Sequence, residues 1–252
     1  LDERDQYELA HPDKEDTHLR FTNQRYAMPA PVVVYADFES AIDDKNVHKP
    51  IMLTCLAVSR IPAVQTQLRV FHAPHENEKD LRPFMGYLQN LQSIVRDYLF
   101  MKLPLEKTND VRRDFESAVS CPFCHKQFSK EVVKVMHHAH VSAEYSNGVG
   151  VKHYEAGQYI CTCCRECNLQ LSFNESNYKL PVYFHNGSHY DFTFIMKLAA
   201  SCGWDEDMEV IPTTEDKEMM IEFNGIQFKD SLKLISSPLK IIVSQTLGND
   251  LT

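Results

Sequence analysis

The sequence has no long apolar runs, no apolar segment among its first 20 residues and no excess of basic residues. No stretch of 18 uninterrupted apolar side chains occurs in its 252 residues, so we predict no transmembrane helix. The first 20 residues are charged and have no apolar core, so we expect no signal peptide and a reducing, intracellular compartment. A net charge of −9 excludes a basic protein that coats nucleic acid, but it does not exclude a nuclease whose acids bind metal ions.

The length and hydrophobic pattern predict one large α/β domain that carries an insertion. Alternation of apolar and polar residues predicts strands, with a hairpin between the first two. A separate stripe of apolar residues at spacings of three or four predicts a helix, which ends before Pro104. The predicted elements are strands Val32–Asp37, Met52–Val58 and Gln67–His72, helix Glu78–Leu103, strand Pro181–Phe184, helix Tyr190–Ser201, and strands Glu218–Phe223 and Gly225–Lys229.

Two short segments carry carboxylates at the ends of these apolar runs. VVVYADFES ends in Asp37 and Glu39, and PVYFHNGSHYDF ends in Asp191. Side chains two residues apart share one face of a strand, so Asp37 and Glu39 would point together. Such acids are the ligands for Mg²⁺ or Mn²⁺, and two ions about 4 Å apart hydrolyse phosphodiesters. The simpler alternative is a strand followed by solvated acids.

The two segments resemble the Exo I and Exo II motifs of protein-primed family B DNA polymerases. A third segment, FKDSLKLISSPLKII over residues 228–242, is similar to the D-S-L segment of that family. The resemblance implies a ribonuclease H-like 3′–5′ exonuclease fold and two catalytic Mg²⁺ or Mn²⁺ ions bound by Asp37, Glu39 and Asp191. It also implies that single-stranded DNA 3′ ends are bound by Asn186, Tyr190, Ser231 and Leu232.

The same resemblance implies partners and a location. A terminal protein primer is an expected partner, a membrane is not, and the nucleus is the expected compartment for a eukaryotic mobile element. Lys229, Lys233 and Lys240 lie around the D-S-L segment, where they either contact phosphates or are solvated surface residues.

One departure from the family concerns its Exo III motif, a Tyr followed four residues later by Asp. No such pair follows Ser231, and no polymerase motifs are present. We therefore expect an exonuclease portion that does not polymerise DNA and cleaves it weakly or not at all. The expected organisation is an N-terminal arm (1–30), a first exonuclease part (31–104), an inserted module (105–179) and a second exonuclease part (180–252).

The inserted module contains two C-x-x-C pairs among its cysteines. Cys121 and Cys124 form the first pair, and Cys164 and Cys167 form the second, about 40 residues later. This spacing predicts a structural Zn²⁺ site whose metal contributes folding free energy. Cys161 also lies near the second pair, so the ligand choice is open; we prefer Cys164 and Cys167, with Cys161 and Cys163 outside the site.

The module resembles the endonuclease VII group of His-Me finger nucleases in its order of motifs. By position, the resemblance implies that His138 is the general base and that His140 is its neighbour. It also implies that His137 and Asn168 are ligands of a second-site Mg²⁺. The Asp of the family motif is replaced by His137, and the Arg and Gly after its Tyr by Ile160 and Cys161. The alternatives to an exonuclease are therefore a His-Me endonuclease that uses His138 and an inactive, domesticated zinc-containing interaction protein.

Overall fold

The structure is a computed structural model of the chain. It describes residues 28–73, 78–101, 103–105, 107–173, 178–204, 206, 208–214 and 217–247. The predicted arm over residues 1–30 lies outside these ranges, apart from its last three residues. None of the described helices is long and apolar enough to cross a membrane.

Strands and helices alternate along the described residues, in the pattern of an α/β chain. In chain order the elements are β1 (Val32–Ile42), β2 (His48–Ser59), β3 (Gln67–His72), α1 (Arg82–Phe100), α2 (Asn109–Ser117), β4 (Lys134–His138), β5 (Ala143–Ser146), β6 (Val151–Tyr154), β7 (Tyr159–Cys164), α3 (Arg165–Gln170), β8 (Leu180–Phe184), α4 (Asp191–Ser201), β9 (Glu209–Thr214), β10 (Lys217–Phe223), β11 (Ile226–Asp230) and α5 (Leu239–Leu247).

Seven of these strands form one mixed sheet in the order β3-β2-β1-β8-β11-β10-β9. The β1–β2–β3 and β11–β10–β9 segments are antiparallel, whereas β1, β8 and β11 are mutually parallel. The carboxyl ends of the three parallel strands therefore meet at one edge of the sheet. The α/β prediction is confirmed at this level, and every predicted strand of the sheet is present; β9 and α5 were not predicted.

The side chains of β1 alternate between a buried face and an exposed face. Val32, Val34, Ala36 and Phe38 are buried, whereas Tyr35 is 50% exposed and Asp37 and Glu39 are also exposed. The predicted apolar stripe of α1 is confirmed, because all five of its members are buried: Phe84, Leu88, Leu91, Val95 and Leu99. The helix begins at Arg82, four residues later than predicted, after a 3₁₀ turn over Glu78–Leu81.

The inserted module forms two small antiparallel sheets, β4–β7 and β5–β6, with α2 and α3 beside them. Part of it packs into the same hydrophobic core as the seven-stranded sheet, through buried residues such as Ala139, Val141 and Tyr145. The cysteine-rich part forms a separate small cluster. The module is therefore joined to the sheet by apolar contacts as well as by its two chain connections.

Candidate active site and metal centre

The candidate active site lies where β1 and β8 separate. These strands pair only at Val34–Val182 and Tyr35–Tyr183, and β1 then continues without β8. Asp37 lies just beyond this point, with its side chain on the exposed face of β1. Asp191 is the first residue of α4, which follows β8 through a short turn, and it is only 4% exposed. The Phe38 N–H donates a hydrogen bond to Asp191 Oδ1 at 3.4 Å.

The electrostatic environment of these acids favours the binding of a cation among them. Burial, followed by the negative charge of Asp37, raises the pKa of Asp191 to about 7, although the Phe38 N–H opposes this shift. Desolvation and the charge of Glu39 likewise raise the pKa of Asp37, while His185 lowers it. Carboxylates that repel one another and lose water are stabilised by a metal ion among them. The sequence-predicted trio is thus electrostatically linked, from Asp191 through Asp37 to Glu39.

The turn that leads from β8 into α4 is held by a carboxylate that the sequence analysis missed. Asp230, at the end of β11, is 3% exposed. It accepts hydrogen bonds from the Asn186 N–H at 2.9 Å, from the Ser188 N–H at 3.2 Å and from the Ser188 hydroxyl at 2.5 Å. It also accepts the Leu232 N–H at 2.9 Å. Burial opposes ionisation, but these bonds outweigh it and hold the pKa of Asp230 below its ordinary value.

The predicted DNA-binding residues lie on this turn and on the segment after β11. Asn186 is exposed and adopts a left-handed conformation with φ 70°. Tyr190 is half-buried. The Ser231 hydroxyl donates to the Phe184 carbonyl at 3.2 Å and lies 3.0 Å from His185 Nδ1, so its hydrogen bonds are made within the protein.

The candidate phosphate-binding lysines differ in their surroundings. Lys229 is half-buried on β11, and burial lowers its pKa while the nearby Glu222 raises it. Lys233 and Lys240 are exposed. The two exposed lysines are free to approach a ligand, whereas Lys229 is already packed beside Glu222.

Comparison of the chain with protein-family models, curated protein sequences and solved structures gives no match.

The four cysteines predicted as zinc ligands lie together in the inserted module. Their sulfur atoms all lie within 4.8 Å of one another, so the group could hold a zinc ion. Among the described residues, it is the one group of at least three His, Cys, Asp or Glu ligands that is this compact. The acids around Asp37 are thus more widely spaced than the cysteines.

Local backbone structure explains the geometry of the cysteines. The first pair sits on a tight turn in which the His125 N–H donates to the Cys121 carbonyl at 2.8 Å. Cys164 ends β7 and caps the start of α3, where its sulfur accepts the Cys167 N–H at 3.4 Å. Burial opposes ionisation of Cys121, but the N–H groups of Cys124, Cys164 and Phe123 outweigh it and lower the pKa of Cys121. Burial instead raises the pKa of Cys164 and of Cys167, so their thiolates would need the charge of a bound zinc ion to stabilise them.

The predicted second nuclease site is built on β4, β7 and α3. His137 Nδ1 lies 3.0 Å from Asn168 Oδ1, so two residues 31 positions apart meet at hydrogen-bond distance. His137 is 2% exposed, and burial lowers its pKa to about 4. The His138 ring lies beside His140, with a centroid separation of 5.1 Å, and burial lowers the pKa of His138 as well. Neutral imidazoles are therefore favoured here, as metal ligation or proton abstraction requires.

Proposed function

We propose that the chain is the exonuclease portion of a protein-primed family B DNA polymerase, the part of such an enzyme that hydrolyses single-stranded DNA from its 3′ end with two Mg²⁺ or Mn²⁺ ions. The observation that carries the proposal is the hydrogen bond from the Phe38 N–H to Asp191. Phe38 lies between Asp37 and Glu39 on β1, so this bond brings the acid of α4 to the D-x-E pair. Asp37 lies close enough to Asp191 for its charge to raise the pKa of Asp191, and Glu39 raises the pKa of Asp37 in the same way.

The sheet topology supports a ribonuclease H-like fold. Counted from the β3 edge, its first five strands follow the order β3-β2-β1-β8-β11, and β2 alone runs antiparallel to the other four. The D-x-E pair lies on the central strand β1, and the third acid lies at the start of the helix after β8. Ligands of open α/β sheets bind outside the carboxyl ends of parallel strands, which is where these acids are.

In the proposed reaction each part of the site has a separate task. Asp37, Glu39 and Asp191 would hold the two ions, which supply Lewis-acid stabilisation and an activated water. Asp191 is fixed by its burial and by the Phe38 N–H, so it does not need to reorganise when the substrate binds. Asp230 holds the turn that presents Asn186 and Tyr190 to the 3′-terminal nucleotide.

A second candidate function is supported by the contact between His137 and Asn168. This contact places two potential Mg²⁺ ligands together on a unit of two strands and a helix. The same unit carries cysteines of the cluster that could hold a zinc ion. This is the arrangement that the resemblance to His-Me finger nucleases implies, with His138 as the base that activates water. An endonuclease in the inserted module would cut within a strand and not at its end.

The experiment that tests both candidates uses three DNA substrates with Mg²⁺ or Mn²⁺: a 5′-labelled single strand, the same strand with a blocked 3′ end, and a supercoiled circle. An exonuclease shortens the first strand stepwise and spares the second, and Asp37→Ala abolishes this digestion. The exposed Asp44 on the β1–β2 hairpin provides the matched control, Asp44→Ala.

Other results identify the alternatives. Nicking of the circle that survives Asp37→Ala but not His138→Ala assigns the chemistry to the inserted module. No cleavage of any substrate together with no binding of Mn²⁺ at the acids rejects both nuclease functions and favours the interaction protein.

A further inference from the structure

The side chain of Tyr190 is held by two residues from the β1–β2 hairpin. Its hydroxyl lies 2.7 Å from His48 Nδ1 and also hydrogen-bonds to the Ser40 hydroxyl. Ser40 Oγ and His48 Nδ1 lie 3.2 Å apart, which closes a triangle of three polar groups. None of these contacts is local, because Tyr190 is 150 positions from Ser40 and 142 from His48.

The ring of Tyr190 is held as firmly as its hydroxyl. It meets the His48 ring edge-on, with a centroid separation of 5.0 Å and an interplanar angle of 81°. It packs against Phe194 in the same way, at 5.1 Å and 83°. A tyrosine between two edge-on aromatic rings, with its hydroxyl bonded, has little rotational freedom left.

The restraint on Tyr190 also affects Asp191, because the two residues are adjacent in the chain. Tyr190 joins the 3₁₀ turn Gly187–His189 to α4, with φ −151° and ψ −67°, and no side-chain hydrogen bond caps the helix there. The next residue is Asp191. Whatever fixes Tyr190 therefore also fixes the start of α4.

We propose that His48 is a positioning residue of the nuclease site, which acts through the Tyr190 hydroxyl. The inference rests on the proposed function, in which Tyr190 contacts the 3′-terminal nucleotide. His48 would set the Tyr190 ring before DNA arrives, so that ordering this side chain does not weaken binding. Loss of His48 should therefore reduce the affinity for single-stranded DNA.

The test measures binding of a 5′-fluorescent oligothymidylate with a free 3′ end by anisotropy, with Ca²⁺ in place of Mg²⁺ or Mn²⁺ so that cleavage is suppressed and the cysteine cluster keeps its metal. His48→Ala should weaken binding about 3- to 10-fold, which is the effect of one hydrogen bond. His48→Asn keeps a hydrogen-bonding group near the position of Nδ1 and should restore most of the affinity. The control is His153→Ala, since His153 is an exposed histidine in the inserted module.

A double-mutant cycle distinguishes positioning from a direct contact between His48 and DNA. Tyr190→Phe removes the hydroxyl, so His48→Ala should have little further effect in that background. Because His48 is exposed, all variants should fold, and thermal unfolding monitored by circular dichroism checks this.

The possible failures are distinguishable. Additive effects of His48→Ala and Tyr190→Phe, or no effect of His48→Ala on wild-type affinity, would overturn this inference and leave the proposed function standing. No binding of the oligonucleotide by the wild-type chain would overturn the proposed function and this inference with it.

Discussion

The Phe38 N–H and the Asp191 carboxylate are joined across 153 positions of the sequence. Phe38 lies beyond the last residue of β1 that pairs with β8, so its N–H is satisfied by a side chain in place of a neighbouring strand. The acceptor is a buried acid, whose ionised form this bond stabilises. The backbone N–H that is left without a strand partner where β1 leaves β8 is therefore the same group that holds the third acid in place.

We first predict that Asp191→Asn stabilises the metal-free protein at pH 8 by about 1–3 kcal/mol. The amide keeps an acceptor for the Phe38 N–H, but it carries no charge to bury and none to be repelled by Asp37. Mn²⁺ should stabilise the wild type and have a smaller effect on the variant. Thermal unfolding with and without Mn²⁺ measures both effects, with Asp44→Asn as the control. A variant less stable than the wild type without metal would contradict this account of the site.

The second prediction is one zinc ion per chain, held by Cys121, Cys124, Cys164 and Cys167. Cys121→Ser should lose the metal and lower the melting temperature by more than about 5 °C, because a structural metal contributes folding free energy. Cys163→Ala is the matched control, since Cys163 is fully buried in the same cluster but lies outside the four. Metal analysis of the purified proteins should find zinc in the control and not in Cys121→Ser. Zinc retained at full stoichiometry by Cys121→Ser would reject this ligand set.

The third prediction compares two glycines. A Cβ at Gly187 would lie 2.7 Å from Phe184 Cβ and 2.9 Å from Phe192 Cε1, so Gly187→Ala should destabilise the protein by about 1–3 kcal/mol. Gly86 lies within α1 and has no heavy atom within 4 Å of an added Cβ, so Gly86→Ala should stabilise by about 0.4–1 kcal/mol. Urea unfolding measures both changes. Equal effects of the two substitutions would show that the turn before α4 can relax around a methyl group.

The fourth prediction concerns alkaline pH. Burial raises the pKa of Cys55 from 9.0 to about 11, so the folded chain keeps a proton that the unfolded chain has already lost. The contribution of Cys55 to the free energy of unfolding is fully present below pH 9. It is lost between pH 9 and 11, by on the order of 2–3 kcal/mol. Cys55→Ala should show a shallower loss over this range than the wild type. Parallel stability profiles for wild type and Cys55→Ala would refute the assignment.

Short-range patterns explain why much of the fold could be predicted from the sequence. The alternation along β1 and the stripe of α1 are periodic, so each follows from a window of about ten residues. The cysteine ligands were predictable for a similar reason, because each pair needs only one tight turn. Cys164 and Cys167 lie together with the first pair because Cys164 ends β7 and caps α3, whose first turn carries Cys167, whereas Cys161 lies three residues earlier on β7.

The residues that the sequence analysis missed act over long range. Asp230 looked like the end of a strand, yet its importance comes from N–H groups 42 and 44 positions away. His48 lies in a polar hairpin, and only the folded chain brings it to Tyr190. Neither contact has a periodic signature. A carboxylate directly before Ser231 and Leu232 was the one available signal for Asp230.

The core shared by the sheet and the inserted module limits how the chain can be divided. Ala139, Val141 and Tyr145 of the module are buried in the same cluster as Val95 and Leu99 of α1. Cutting the module out would expose apolar surface on both pieces, and a graft of residues 105–179 onto another scaffold would carry that surface with it. The module and the sheet therefore have to be expressed together, whereas the four cysteines lie in a separate small cluster outside this shared core.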